Sequence, residues 1–84
     1  MDLKAQFEHA LEEAKSLPSQ SNEVLLELYG LFKQATQGDV EGERPGGFDF
    51  RGAAKFDAWN TRKGMSSDEA KQAYVELVAR LASD

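Results

Sequence analysis

Cysteine is absent from this 84-residue chain, and histidine and tryptophan occur once each. Without cysteine there is no disulfide to staple a small core and no thiolate-based zinc or iron–sulfur site. His9 alone cannot supply a multi-histidine metal set or a paired-histidine mechanism. It sits beside Glu8 and Glu12 on the polar side of its segment, where a solvated surface histidine is the simplest reading. No apolar run approaches the ~18–20 residues of a membrane span. The opening stretch MDLKAQFEHALEEAK is charged and amphipathic, without the apolar centre of a secretory signal. A chain of this kind is expected in the cytoplasm. Phosphate-cradling glycine loops of the GxxxxGK[ST] or GxGxxG type are missing too. The carboxylate pairs Glu12/Glu13 and Asp68/Glu69 lie on a polar helix face and at a helix start, where carboxylates need no catalytic role.

What is present is ordinary soluble globular composition, 40% hydrophobic and 30% charged, in a length that makes one small domain, residues 1–84. Such a chain buries only ~60% of its unfolded surface. The net charge is −5, which argues against nucleic acid as a partner. The charge is uneven, however. The first 43 residues hold nine acids and three bases, whereas Arg44–Lys63 holds five bases and two acids. A compact anion site inside that basic segment is compatible with the acidic total, because a pocket responds to local charge.

Hydrophobic spacing predicts four helices and no strand. Leu3, Phe7, Ala10, Leu11 and Ala14 form a helical stripe over Asp2–Ser16, with Asp2 as N-cap and Pro18 as the stop. Val24, Leu25, Leu28, Tyr29, Leu31, Phe32 and Ala35 form another over Asn22–Thr36, capped by Ser21 or Asn22 and ended by Gly38. Gly30 lies inside it. That residue permits close approach of a second helix or a ligand, or is merely tolerated at a cost of ~1 kcal/mol against alanine. Ala53, Phe56 and Trp59 mark a third helix over Gly52–Arg62, ended by Gly64. Ser66-Ser67-Asp68-Glu69 is a capping box, opening a fourth helix with the stripe Ala70, Ala73, Tyr74, Leu77, Val78 and Leu81. Residues 37–51 carry four glycines and one proline and read as a long loop, with Phe48 and Phe50 expected to pin it to the core. Short links on either side of one long crossover describe an all-α four-helix bundle with an overhand connection.

The residues with chemical potential are basic and aromatic. Tyr29 and Lys33 are i, i+4 and share a helix face, and Lys55 lies four residues before Trp59. Lys15 closes the first helix and Tyr74 interrupts the aliphatic stripe of the fourth. A lysine and a tyrosine hydroxyl converging on one point make a phosphate site, and an aromatic face can stack on a nucleobase. Taken singly, each tyrosine also fits the edge of a core and each lysine a solvated surface.

The wording of the sequence narrows this. Residues 29–39, YGLFKQATQGD, resemble the Y-x-x-[YF]-K-Q-A-T-x-G-D signature of the acyl-CoA-binding protein family. Arg44-Pro45-Gly46 followed by Phe48-Asp49-Phe50 is similar to its R-P-G-x-[FL]-D-[FL] loop, and residues 51–60, RGAAKFDAWN, to its K-G-x-A-K-W-D-A-W block. Gly64-Met65-Ser66 and Ala70 to Tyr74 continue the pattern, so the likeness runs from about Phe7 to Leu81. It implies a four-helix fold of the acyl-CoA-binding type, with the long overhand loop between helices two and three. It also implies a non-catalytic carrier that binds, buffers and transports medium- and long-chain fatty acyl-CoA. No cofactor or metal is implied. The partners would be fatty acyl-CoA and enzymes that use it, and the carrier would be a monomer.

The resemblance assigns Lys33 and Lys55 to the 3′-phosphate of CoA, Tyr29 to the ligand beside them, Tyr74 to the adenine and Lys15 to a further contact. Arg51 and Phe32 stand at ligand-contacting positions. Phe7, Ala10 and Leu11, with Leu25, would line the groove for the acyl tail. Three residues depart from the family pattern. Phe56 stands where tryptophan is usual, Arg51 where lysine is frequent, and Phe32 where tyrosine occurs. The link between the first two helices is about a residue shorter than in the animal proteins. Two other classes fit the bare residues: a helical interaction module whose groove accepts an amphipathic peptide, and an enzyme such as a thioesterase, for which no nucleophile–base pair is visible.

Overall fold

A computed structural model describes residues 1–83. It consists of α1 (Leu3–Ala14), α2 (Asn22–Gln37), α3 (Phe50–Asn60) and α4 (Ser67–Ser83). The all-α expectation holds, and most boundaries fall where local chemistry put them. Asp2 Oδ1 accepts from Ala5 N at 2.8 Å, and Ser21 Oγ from Val24 N at 3.2 Å. At the start of α4 the capping box closes in both directions. Ser66 Oγ accepts from Glu69 N at 3.0 Å, and Glu69 Oε1 accepts from Ser66 N at 2.9 Å. Gly38 ends α2 with φ of 83°, a conformation that disfavours side chains with a Cβ.

α3 begins two residues earlier than the periodicity predicts. Asp49 is its cap, accepting from Gly52 N at 2.9 Å, so Phe50 and Arg51 join the helix. α1 ends at Ala14 rather than Ser16, passing into a turn in which Leu17 N donates to Ala14 O.

The helix backbones pack in the pairs α1 with α4, α4 with α2, and α2 with α3, so the bundle is an open row with α4 and α2 at its centre. It is flat, 42 × 28 × 15 Å. The core lies under α4, where Leu28, Leu31 and Ala35 of α2 and Phe7 and Ala10 of α1 meet Ala70, Tyr74, Leu77 and Val78. Each large side chain buried there contributes ~1.5–3 kcal/mol. Phe7 is the pivot. Its ring meets Tyr74 edge-on at 5.3 Å and stacks on Phe32 at 6.4 Å, so one phenylalanine ties α1 to both neighbours.

α2 and α3 run parallel, since facing residues advance together along both: Asn22 and Leu25 share a cleft with Phe50 and Arg51, Tyr29 pairs with Lys55, Gly30 meets Ala58 and Lys33 lies over Trp59. Parallel neighbours require a crossover. α2 is about 24 Å long at 1.5 Å per residue, and the link over residues 38–49 must retrace that length.

Phe48 and Phe50 do not pin this link to the core. They are 91% and 73% exposed and pack only on each other among the aromatic side chains. Polar groups hold the loop instead. Trp59 Nε1 donates to Gly38 O at 2.7 Å. The Arg44 guanidinium grips the Asp57 carboxylate through two bonds, of 2.8 and 3.0 Å. Asp39 Oδ1 accepts from Gln34 Nε2 at 2.8 Å and from Gly64 N at 2.9 Å. Gln34 is wholly buried and also donates to Met65 O, so the start of the crossover and the α3–α4 turn share one anchor.

These contacts hold three carboxyls below the ordinary range: Asp39 through the Gly64 amide and then Gln34, Asp57 through Arg44, and Glu69 through Ser66. A depressed folded pKa stabilises above the unfolded value and loses that contribution as pH falls through the folded one. Urea midpoints are therefore expected to be level near neutrality and to fall below about pH 4, the ordinary carboxylate range. In Asp39→Asn the acid-induced fall should shrink, because the amide oxygen still accepts both bonds but does not titrate. An identical fall in both proteins would remove Asp39 from the acid response.

Gly30 is a required close approach, not a tolerated glycine. A Cβ there would overlap the carbonyl oxygen of Ala58 and lie 2.9 Å from its carbon. Backbone cannot move aside as a side chain can. Gly30→Ala is expected to lower stability by about 1–3 kcal/mol through overpacking, despite alanine's ~1 kcal/mol helix advantage. Chemical denaturation checks this, and a more stable variant would mean that the seam has room.

Candidate functional site

The seam between α2 and α3 carries the site. Each helix contributes one lysine and one aromatic residue at i, i+4 spacing, and the two pairs interlock. The Lys55 ammonium of α3 lies 5.5 Å from the ring centre of Tyr29 on α2, while the Lys33 ammonium of α2 lies 5.0 Å from that of Trp59 on α3. Cation–π attraction of this kind is worth about 0.5–1 kcal/mol at exposed sites. That holds both cations on the seam yet leaves them cheap to redirect. Trp59 is itself fixed by its bond to Gly38 O, so the long loop sets the ring on which Lys33 rests. The register depends on Gly30, one residue after Tyr29.

Beside the Tyr29–Lys55 pair opens a cleft of about 610 Å³, within the range of small-molecule sites. One wall is Asn22, Leu25, Leu26 and Tyr29 of α2, and the other is Phe50, Arg51, Ala54 and Lys55 of α3. Leu25 is half exposed there, at 51%. The cleft is apolar with two cations and a phenol at its edge, a combination that suits an amphipathic anion.

Of the residues singled out in the sequence, Tyr29, Lys55, Arg51 and Leu25 come together in this cleft, and Lys33 stands on the same seam. Others pack among α1, α2 and α4 or stand on α1. Tyr74 is 5% exposed, and burial pushes its phenol up. Phe32 stacks on Phe7. Phe7 and Ala10 are core residues, 5% and 4% exposed. Phe7 and Leu11 also border a second cleft of about 490 Å³, formed with Lys4, Ala35, Thr36 and Lys71. Lys15 ends α1 with its ammonium 3.1 Å from Glu12 Oε1, in the open. His9 is exposed, with Nδ1 3.7 Å from Glu13. Among the described residues no group of three His, Asp or Glu side chains could hold a metal ion, and no helix is long and apolar enough to cross a membrane.

Sequence reasoning missed Asn22, Leu26, Phe50 and Ala54 as cleft residues. The signal for Leu26 is a second apolar stripe on α2. Val24, Leu28, Leu31 and Ala35 satisfy α4, which leaves Leu25, Leu26 and Tyr29 to face something else.

An all-α protein whose α2–α3 seam presents lysines, a tyrosine and an apolar cleft belongs to the class of small helical binding proteins. The particular family follows from comparison: residues 4–78 match the family model "Acyl CoA binding protein", and the chain belongs to that family. It is 49% identical over 76 residues to acyl-CoA-binding protein homolog 1 of Caenorhabditis elegans, covering 89% of this chain and 88% of that one. With the acyl-CoA-binding protein of Ricinus communis the identity is 47% over 85 residues, covering 100% and 94%. The crystal structure of acyl-CoA-binding protein 2 of Oryza sativa superposes with a TM-score of 0.94 at 44% identity, covering 98% of this chain and 92% of that one. The four-helix fold expected from the sequence is thus the fold of its solved relatives.

Proposed function

We propose that this chain, as one acyl-CoA-binding domain over residues 1–84, binds fatty acyl-CoA and carries it as a non-catalytic monomer in the cytoplasm. The observation that carries the reading is the interlocked pair of lysines on the α2–α3 seam next to an apolar cleft. A phosphate monoester bears roughly −1.5 to −2 charges and three acceptor oxygens. Lys33 and Lys55 leave their rings to meet it, the Tyr29 hydroxyl donates a third bond, and Arg51 takes a neighbouring phosphate oxygen. Leu25, Leu26, Ala54 and Phe50 receive apolar parts of the ligand.

The family resemblance also assigns Lys15, Phe32 and Tyr74, with Phe7, Ala10 and Leu11. Phe32 and Tyr74 both pack on Phe7, so a ligand touching both sets reaches beyond the α2–α3 seam. A nucleotide joined to a long chain has that reach. No nucleophile–base pair accompanies the cleft, so the thioester leaves as it arrived and passes to enzymes that use it.

Calorimetric titration with palmitoyl-CoA, followed by a free-thiol assay on the same mixture, tests both halves. Saturable one-to-one heat without thiol release is the expected result. Absence of heat would end the carrier reading, and released thiol would make the protein a thioesterase.

A further inference from the structure

The least accommodated aromatic side chains among the described residues are Phe48 and Phe50. Their rings stand edge to face, 6.3 Å apart and inclined by 75°, with 91% and 73% of their surface in water. The backbone that carries them is held. Asp49 N donates to Gly46 O at 3.3 Å, Phe50 N to Phe48 O at 3.0 Å, and the Asp49 side chain is occupied in capping α3. The turn therefore projects two aromatic rings outward while the carboxylate between them is engaged with the helix. Phe50 is also part of the cleft wall, facing Leu25, and Arg51 and Lys55 stand on the same wall one residue and one turn further on. Exposed apolar area gathered at one point and flanked by cations marks a docking surface.

We propose that Phe48 and Phe50 form a knob that inserts into the headgroup boundary of a phospholipid bilayer, with Arg51 at the level of the lipid phosphates. A bilayer suits this surface better than a folded protein does. Aromatic anchors at protein interfaces fill matching pockets inside a rim that excludes water, and here the rings protrude beside Gly46 and Gly47, which offer no rim. A bilayer needs no pocket, since interfacial apolar side chains sink ~5–10 Å into the headgroup and acyl boundary. The protein's net charge of −5 is concentrated before residue 44, so attraction to anionic lipid is not the driver and phosphatidylcholine suffices. Docking in this way turns the mouth of the cleft to the lipid, so a ligand whose tail rests in the membrane enters without crossing bulk water. The docking stands on the knob alone, and only this delivery step rests on the acyl-CoA reading.

The experiment uses the whole protein with phosphatidylcholine vesicles. Phe48 is outside the cleft, so Phe48→Ser is expected to weaken co-flotation about tenfold, the loss of one buried aromatic side chain. Its affinity for palmitoyl-CoA in vesicle-free solution should not change. In Phe48→Trp, vesicles should shift the emission of the introduced indole to the blue, and brominated lipid should quench it, while the parent protein's Trp59 on the α2–α3 seam responds much less. Three results would overturn the proposal: a parent protein that does not float with vesicles, equal flotation of parent and Phe48→Ser, or an effect of Phe48→Ser on ligand transfer to an enzyme with no lipid present, which would make the knob a protein contact. Flotation that depends on Phe48 in a protein giving no heat with palmitoyl-CoA would support the knob while defeating the carrier reading.

Discussion

Palmitoyl-CoA is expected to bind at least a thousandfold more tightly than free CoA, and affinity should climb with every pair of methylenes until the apolar surface is filled. The expectation follows from comparing two contributions at the seam. Each charge-assisted contact to the head group is worth ~1.5–3 kcal/mol and is made by free CoA as well. Each buried CH₂ adds ~0.8 kcal/mol, so twelve to sixteen of them give a gross ~10 kcal/mol before chain ordering is subtracted. Even half of that exceeds a thousandfold, at ~1.4 kcal/mol per decade. Calorimetry with an acyl-CoA series of increasing tail length reads this directly, and the length at which affinity stops rising measures how much of the surface beyond the 610 Å³ cleft takes part. Equal affinities for CoA and palmitoyl-CoA would remove the tail from the account. Free palmitate should bind hardly at all, because it lacks the phosphate for which the two lysines would leave their rings.

Helix identities and most helix starts were legible because they are local. Asp2, Ser21 and the Ser66/Glu69 box are caps whose partners lie three residues away, and all form. The start of α3 departs from the periodicity for a local reason as well: Asp49 is flanked by two phenylalanines whose apolarity reads as loop anchoring, masking an ordinary carboxylate cap. Their exposure could not be read from composition, since burial is decided by what else the chain brings near them. The same holds for the site. Intrahelical spacing puts Tyr29 with Lys33 and Lys55 with Trp59, but the exchange of lysines across the seam depends on parallel register. That register is set by the crossover, its Arg44–Asp57 and Trp59–Gly38 ties, and the contact at Gly30. Only the resemblance to a known family joined Lys33 to Lys55 in advance. The burial of Tyr74 and Phe7 in the core was visible neither in spacing nor in the family motif.

Removing the 3′-phosphate from the ligand should have nearly the same effect as removing both lysines from the protein, and the two losses should not add. Lys33→Ala and Lys55→Ala are each expected to weaken palmitoyl-CoA binding by tenfold or more, corresponding to ~1.4 kcal/mol per decade. Neither change should unfold the protein, since each ammonium leaves only a surface ring contact worth about 0.5–1 kcal/mol. Dephospho-palmitoyl-CoA should bind the parent about a hundredfold more weakly, because two lysine contacts of ~1.5–3 kcal/mol are lost together. Against the double variant the phosphorylated and dephosphorylated ligands should then be nearly equal, as a double-mutant cycle requires when protein and ligand groups interact with each other. Additive losses would mean that the lysines act elsewhere on CoA, for example on the pyrophosphate. Salt offers an independent check: the preference for the phosphorylated ligand should shrink as ionic strength rises, because Lys55 is exposed and contacts of exposed charges are screened. The tail contribution should persist, so at high salt the protein keeps its chain-length selectivity while losing its discrimination of the 3′-phosphate.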